Sequence, residues 1–384
     1  MKGSFPVEKF KDIQTPFYYY DTDLLRNTLS AAENAANKYG YHIHYAVKAN
    51  ANPRILSIIR EKGFGADCVS GGEIQAALDA GFPTSKIVFA GVGKADWEIN
   101  LGLEKDIFCF NVESIAELEV INELAQKKGK IASVAFRINP EVNANTHHHI
   151  TTGLKENKFG INLDQLNKII DLLSTLTSVK LIGLHFHIGS QLTDLEPFQV
   201  LCTRATEIQD QLVKKKIFLE HINFGGGLGI DYTHPNKNSI PNFEDYFKIF
   251  NTHFKVLPGQ QVHFEPGRSL VGQCGSLISR VLYVKEGTIK KFVVLDAGFT
   301  ELIRPAFYEA YHKIENLDSE ALPETYDIVG PICESSDCFA KQFDLNKARR
   351  GDLIALRSAG AYGEIMACQY NCRKLPQSYF SDTL

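Results

Sequence analysis

From about residue 43 to residue 265 the sequence repeats one alternation eight times: a short apolar run of strand character, then a stretch with helical spacing. The runs are "HIHYAVK", "GADCVS", "KIVFAG", "IFCFNV", "ASVAFRIN", "LIGLHFHIG", "HINFGGG" and "VHFEPG", with segments such as "GGEIQAALDAG" and "SIAELEVINELAQKKG" between them. Strands that take turns with helices pair in parallel, and eight of them predict a closed (β/α)8 barrel of the TIM type; an open doubly wound sheet is the alternative. The polar residues favour the barrel. Lys48, Asp67, Asn111, Arg137, His187, the run Gly225 to Gly227 and Glu265 all stand at the C-terminal ends of the apolar runs. Only a closed barrel brings all eight ends to one mouth.

Beyond Glu265 the pattern changes. "SLISRVLYVKEGTIKKFVVLDAGF", "YDIVGPICESSD" and "GDLIALRSAGAYG" are apolar runs punctuated by Gly, Pro and Asp, with few helical stretches between them. They predict an all-β domain of sandwich or barrel-like form. The early "TPFYYYDTDLL" also has strand character and is assigned to it, so the expected division is a barrel over 22–275 and a β-domain over 1–21 and 276–384.

The chain has 384 residues, 44% of them hydrophobic, which suits a folded protein of one large core or two. A net charge of −4, with acids and bases interspersed, offers no footprint for nucleic acid or an anionic membrane. A small-molecule partner is expected. Residues 1 to 30 show no basic segment followed by an apolar stretch and cleavage site, and no apolar run reaches membrane-span length, so the cytoplasm is the expected location. The eight cysteines follow no disulfide framework and no Cys-x-x-Cys spacing, and are read as reduced thiols.

Lys48 is the first residue to suggest chemistry. A strand-end lysine ordinarily extends into solvent. At the end of the first barrel strand its amine would instead enter the mouth, where partial desolvation lowers an amine's pKa and suits it to form a Schiff base with a carbonyl. If that carbonyl belongs to pyridoxal phosphate, the site also needs a phosphate cradle, a group facing the ring and a partner for the ring nitrogen. "NFGGGLG" supplies glycines, among them Gly226 and Gly227, whose N–H groups an anion can approach. Glu265 in "HFEPGRS" either pairs structurally with Arg268 or holds the ring nitrogen protonated. Of His185 and His187 in "GLHFHIGSQ", taken to point to opposite faces, one is expected to serve the site, and His187 lies nearer the strand end. The triplet His147-His148-His149 lacks a carboxylate at ligand spacing, and no metal is expected.

Together these motifs resemble the pyridoxal-phosphate decarboxylases with an alanine-racemase-like barrel, and within them the diaminopimelate decarboxylases. The likeness runs through "YAVKAN", "GADCVSGGEI", "FRINPEVNANTHHHITTGLKENKFG", "HFHIGSQ", "NFGGGLG", "FEPGRS", "DAGFTELIRPAFYEAYH", "GPICESSD" and "AGAYG", in the family's order. It implies that Lys48 carries pyridoxal phosphate covalently, that His187 stacks on its ring and that Glu265 holds its nitrogen. Asp67, Arg137, Ser190, Gly226, Gly227, Gly267, Arg268 and Tyr362 would complete the cofactor site. The resemblance further implies a homodimer in which "GPICESSD" brings Cys333 and Glu334 to the partner's site, with Cys333 or Lys48 as the proton donor.

Substrate choice turns on charge. Diaminopimelate carries an amine and a carboxylate remote from the reacting centre; Arg268 and Arg304 would fork onto that carboxylate, with Tyr308 and Tyr362 beside them, and Glu334 would take the ammonium. An ornithine or arginine decarboxylase holds only a cationic tail, which two arginines would repel. The expectation is a carboxy-lyase that converts meso-2,6-diaminopimelate to L-lysine and carbon dioxide. Its rivals are a racemase or carboxynorspermidine-type decarboxylase of the same fold, and a cofactor-binding protein without turnover.

Overall fold

The structure, a computed structural model, describes residues 5–142 and 158–384. The chain divides into two compact units, one of Met1–Thr28, Ile230–Pro241 and Arg268–Leu384, the other of Leu29–Gly229 and Asn242–Gly267. Among the described residues no helix is long and apolar enough to cross a membrane.

Strand β1 (Phe17–Tyr20) belongs to the first unit. The second unit contains β2 (His42–Ala46), β3 (Gly65–Cys68), β4 (Ile87–Phe89), β5 (Cys109–Val112), β6 (Ala132–Arg137), β7 (Val179–His185), β8 (His221–Asn223) and β9 (Gln261–Phe264). Each pairs in parallel with the next, and β9 closes on β2. The eightfold alternation thus folds as the expected barrel, and the open-sheet alternative falls.

Alternation along each strand decides what faces the barrel axis. Phe264 packs its ring on Phe247 and Phe250 of the helix Phe243–His253, at 4.9 and 4.7 Å between centroids, so it lies on the outer face. Its neighbours His263 and Glu265 therefore face inward. Each phenylalanine buried this way contributes about 1.5–3 kcal/mol, and Phe186, Phe224 and Phe264 are all fully buried. Sharp strand ends come from side-chain caps: Asn52, Ser70 and Ser114 accept from the N–H of Arg54, Glu73 and Glu117 at 3.1 Å each, starting helices just beyond β2, β3 and β5. Such a cap stabilises a helix by about 1 kcal/mol.

Beneath the mouth, the barrel is filled by a chain of imidazoles. His44 Nδ1–H donates to the Lys86 carbonyl (3.1 Å), which leaves Nε2 to accept from His263 Nδ1–H (3.0 Å). His263 Nε2 then accepts from His221 Nδ1–H (2.9 Å). Burial holds His44 down to about 4 and His263 well below its ordinary value, so both are neutral.

The first unit is built on a sheet of β1, β10 (Gly275–Glu286), β11 (Lys291–Leu295), β12 (Ile314–Asn316), β13 (Pro323–Val329), β14 (Cys338–Asn346), β15 (Leu353–Leu356) and β16 (Gln377–Phe380). Its order is β12-β15-β10-β11-β13-β14, and β1 pairs antiparallel with β10 and parallel with β16. The N-terminal strand thus joins the C-terminal sheet, as its composition suggested. Phe17 and Tyr19 pack with Phe10, Ile278, Leu353 and Ala355 in its core.

Candidate active site

Glu265 organises the barrel mouth. It is 6% exposed and accepts from His185 Nε2 (2.8 Å), Asn223 Nδ2 (2.6 Å) and Asn111 Nδ2 (3.3 Å), which come from three other strands. Burial pushes its carboxyl up, but His185, His44 and Lys48 outweigh that and bring it down to about 2. Asp67 behaves oppositely: burial and the Glu265 charge push it well above the ordinary carboxylate range, against Lys48. The two carboxylates are thus shifted in opposite directions by their surroundings.

Lys48 sits, half-buried, in a 3-10 turn, Val47–Ala49, that follows β2 directly. Tyr45 OH donates to the Asn50 carbonyl (2.8 Å) and Asn50 Oδ1 accepts from the Asn52 N–H (2.9 Å), which fixes the turn before the Asn52 cap. The Lys48 charge acts on Asp67, Glu73, His187 and Glu265.

One expectation needs correction. Residues two apart on a strand share a face, so His185 and His187 do not point apart, and both lie where Glu265 acts on or binds them. His185 is the direct partner of Glu265. His187, just past β7, accepts from the Gly226 N–H at Nδ1 (3.4 Å); burial, Lys48, Arg137 and His185 hold its imidazole neutral.

The glycine run is required by close approach. A Cβ on Gly226 would be driven into the Glu265 carbonyl oxygen, and Gly227 takes φ +117° beside the Gly189 carbonyl. Ser190 is half-buried in the loop after β7, and Gly267 packs so that a Cβ would meet Ala49 and Ala46 at 3.0 and 3.1 Å. Arg137 is committed to the protein: its Nη1 donates to Glu113 Oε1 (2.8 Å), and Glu113 also accepts from the N–H of Gly91 and Gly160. It braces the strand ends at the mouth.

Two buried polar atoms of this cluster, Asp67 Oδ1 and His185 Nδ1, have no hydrogen-bond partner among the described residues. Leaving such atoms unsatisfied costs about 1–3 kcal/mol each. Together with a loop whose glycines keep side chains out, they fit a polar ligand such as pyridoxal phosphate.

The first unit carries a second cluster. Arg268 Nη1 donates to Tyr232 OH (2.6 Å), and its guanidinium lies 4.8 Å from the Tyr362 ring centre. Arg304, at the start of the short helix Arg304–Tyr308, lies 5.1 Å from the Tyr232 ring centre and donates to His312 Nε2 (2.8 Å). Burial and Arg304 hold His312 down to about 3, so it accepts as a neutral ring while its Nδ1–H donates to the Arg357 carbonyl. Tyr308, at the end of that helix, acts electrostatically on Arg268.

Cys333 and Glu334 are exposed on the loop between β13 and β14. Their backbone is nevertheless fixed: buried Asp337 accepts from the N–H of Ile332 and Phe299 at 2.7 Å, and the Cys333 N–H donates to Asn371 Oδ1 (3.3 Å). Tyr370 OH donates to Glu334 Oε1 (2.6 Å). All eight cysteines are unpaired. The His147-His148-His149 triplet lies outside the described residues.

Sequence reasoning missed Glu113, Asn223, Tyr232 and His312. The first two were within reach, since each stands two residues from an inward-facing position, Asn111 or Gly225. Nothing local marks Tyr232 or His312.

The pyridoxal-binding domain of pyridoxal-dependent decarboxylases matches residues 24–272. Diaminopimelate decarboxylase of Bacteroides thetaiotaomicron is 66% identical over 385 residues, covering all of both chains, and that of Haemophilus influenzae is 42% identical over 96% of this chain and 88% of its own. Among solved structures, diaminopimelate decarboxylase from Helicobacter pylori complexed with L-lysine superposes with a TM-score of 0.91 at 40% identity, over 97% of this chain and 93% of that one. Identity of this extent, reaching across both units, means that the chain belongs to the diaminopimelate decarboxylase family of pyridoxal-dependent decarboxylases.

Proposed function

We propose that this chain removes the carboxylate from the D-configured centre of meso-2,6-diaminopimelate, releasing carbon dioxide and L-lysine, as a cytoplasmic homodimer with pyridoxal phosphate. The observation that carries the substrate choice is Arg304. It is 6% exposed, its hydrogen-bond partner is the neutral His312, and beyond burial the main groups acting on it are Tyr232, Arg268 and Tyr362, with no carboxylate at ion-pair distance among the described residues. Arg357, by contrast, is neutralised by Glu315 at 2.7 Å. A buried cation without a counter-charge is costly unless a ligand brings one.

When bound, pyridoxal phosphate supplies an electron-poor ring that accepts the electron pair left by the departing carboxylate. Lys48 would hold it covalently, with the neutral His187 ring against its face. Glu265, kept ionised by His185, would hold the ring nitrogen protonated. Ser190, Gly226, Gly227, Gly267, Arg268 and Tyr362 would receive the phosphate, while Asp67 and Arg137 shape the mouth. Arg268, Arg304, Tyr308 and Tyr362 would bind the distal carboxylate and Glu334 the distal ammonium. Cys333 or Lys48 would return a proton to the reacting carbon. That Cys333 and Glu334 are exposed on a braced loop supports their serving a partner subunit's site.

The test is carbon dioxide release from meso-diaminopimelate by purified holoenzyme, with ornithine as control and with Lys48→Ala and Arg304→Ala alongside. Release specific to diaminopimelate, abolished by Lys48→Ala and weakened by Arg304→Ala through KM, is expected. Equal turnover of ornithine, or an unchanged KM in Arg304→Ala, would overturn the substrate reading.

A further inference from the structure

Arg268 and Arg304 are two buried cations close enough for Arg268 to depress the pKa of Arg304, a shift that burial drives first. Something must hold like charges side by side before a ligand arrives. Tyr232 lies against both: its ring centre is 5.9 Å from the Arg268 guanidinium and 5.1 Å from that of Arg304, and its hydroxyl accepts from Arg268 Nη1 (2.6 Å). A phenol oxygen has two lone pairs and one hydrogen. With Arg268 donating to that oxygen, the hydrogen is left to give away, and no described residue takes it.

We propose that Tyr232 is a further member of the distal-carboxylate receptor, a binding and positioning residue whose ring lies against both guanidinium groups, whose phenol oxygen holds Arg268 and whose O–H donates to the carboxylate they receive. The inference rests on the role given above to the two arginines. A carboxylate offers about four acceptor sites, enough for one guanidinium fork, one N–H from the second arginine and one phenol. His312 fits the same scheme from behind: as a neutral acceptor tied to the Arg357 carbonyl, it fixes the far side of Arg304 without adding charge. The receptor then rejects a ligand that lacks the carboxylate, because its arginines would face a cationic tail.

L-Lysine keeps the distal carboxylate and cadaverine lacks it, so the two separate the receptor from the rest of the site. Tyr232→Phe and Arg304→Ala holoenzymes are compared with wild type by calorimetric Kd for both ligands, by KM and kcat for meso-diaminopimelate, and by thermal midpoint. Tyr232→Phe is expected to raise KM and the L-lysine Kd about tenfold, the effect of one lost hydrogen bond to a charged group, while kcat and the cadaverine Kd stay within about twofold. Equal weakening of L-lysine and cadaverine would overturn the proposal, as would an unchanged L-lysine Kd in Tyr232→Phe when Arg304→Ala raises it. If Arg304→Ala also leaves L-lysine binding unchanged, it is the arginine reading that fails. Should Tyr232→Phe not fold, Tyr232→Gln, which keeps an acceptor and a donor, carries the test: selective but smaller loss of L-lysine affinity supports the proposal and equal loss for both ligands refutes it.

Discussion

Replacing His44 with glutamine should remove a defined part of the protein's sensitivity to acid. His44 is buried at the end of the imidazole chain, and burial lowers it from 6.5 to about 4. Its folded-state pKa lies below its unfolded one, so the unfolded chain takes up the proton first as pH falls. The stabilisation is complete above about 6.5, is lost as pH falls through 6.5 towards 4, and levels off below that. The full difference corresponds to about 3 kcal/mol, of which about 2 kcal/mol is lost between pH 7 and pH 5. Other groups shift in the same range, and Asp67, raised by burial and Glu265, works in the opposite direction. The difference between wild type and His44→Gln cancels them. Urea unfolding followed by far-ultraviolet circular dichroism at pH 7 and pH 5 gives that difference at each pH. Wild type should lead the variant by about 2 kcal/mol less at pH 5 than at pH 7. A gap that does not change with pH would refute the claim that His44 is held neutral by burial.

Two further outcomes follow from the mouth and the exposed loop. Glu265→Gln preserves shape but removes the charge that His185, Asn223 and Asn111 surround; carbon dioxide release should fall about ten- to hundredfold, and undiminished turnover would remove Glu265 from its proposed role. If Cys333 serves the partner's site, Lys48→Ala and Cys333→Ala chains, each inactive alone, should on co-assembly regain about one quarter of wild-type activity, since random pairing makes half the dimers mixed and each mixed dimer has one intact site. No recovery would place Cys333 in its own subunit's site.

The barrel was legible because its signal is repetitive: eight apolar runs, six of them with a polar residue at the same end, leave few architectures open. The β1 strand was legible from four consecutive aromatic residues, Phe17 to Tyr20, although its partners β10 and β16 are more than 250 residues away in sequence. What failed was a geometric slip, not a weak signal. Setting His185 and His187 on opposite faces ignored the two-residue repeat of a strand, and with it the partner of Glu265 was missed. Tyr232 and His312 were illegible for a different reason. Their significance lies in what they touch, Arg268 and Arg304, and those contacts join segments that nothing in the local sequence relates.

The strict inward and outward alternation around Phe186, Phe224 and Phe264 also bears on how such a barrel can change over time. At the mouth, His185 and His187 flank buried Phe186, Asn223 precedes Phe224 and Glu265 follows Phe264, and the last two phenylalanines pack outward on the helix Phe243–His253. The outer residues answer to shape and the inner ones to reactivity. A lineage can therefore exchange the inner set one residue at a time, testing new substrates, while the ring of phenylalanines keeps the scaffold folded throughout.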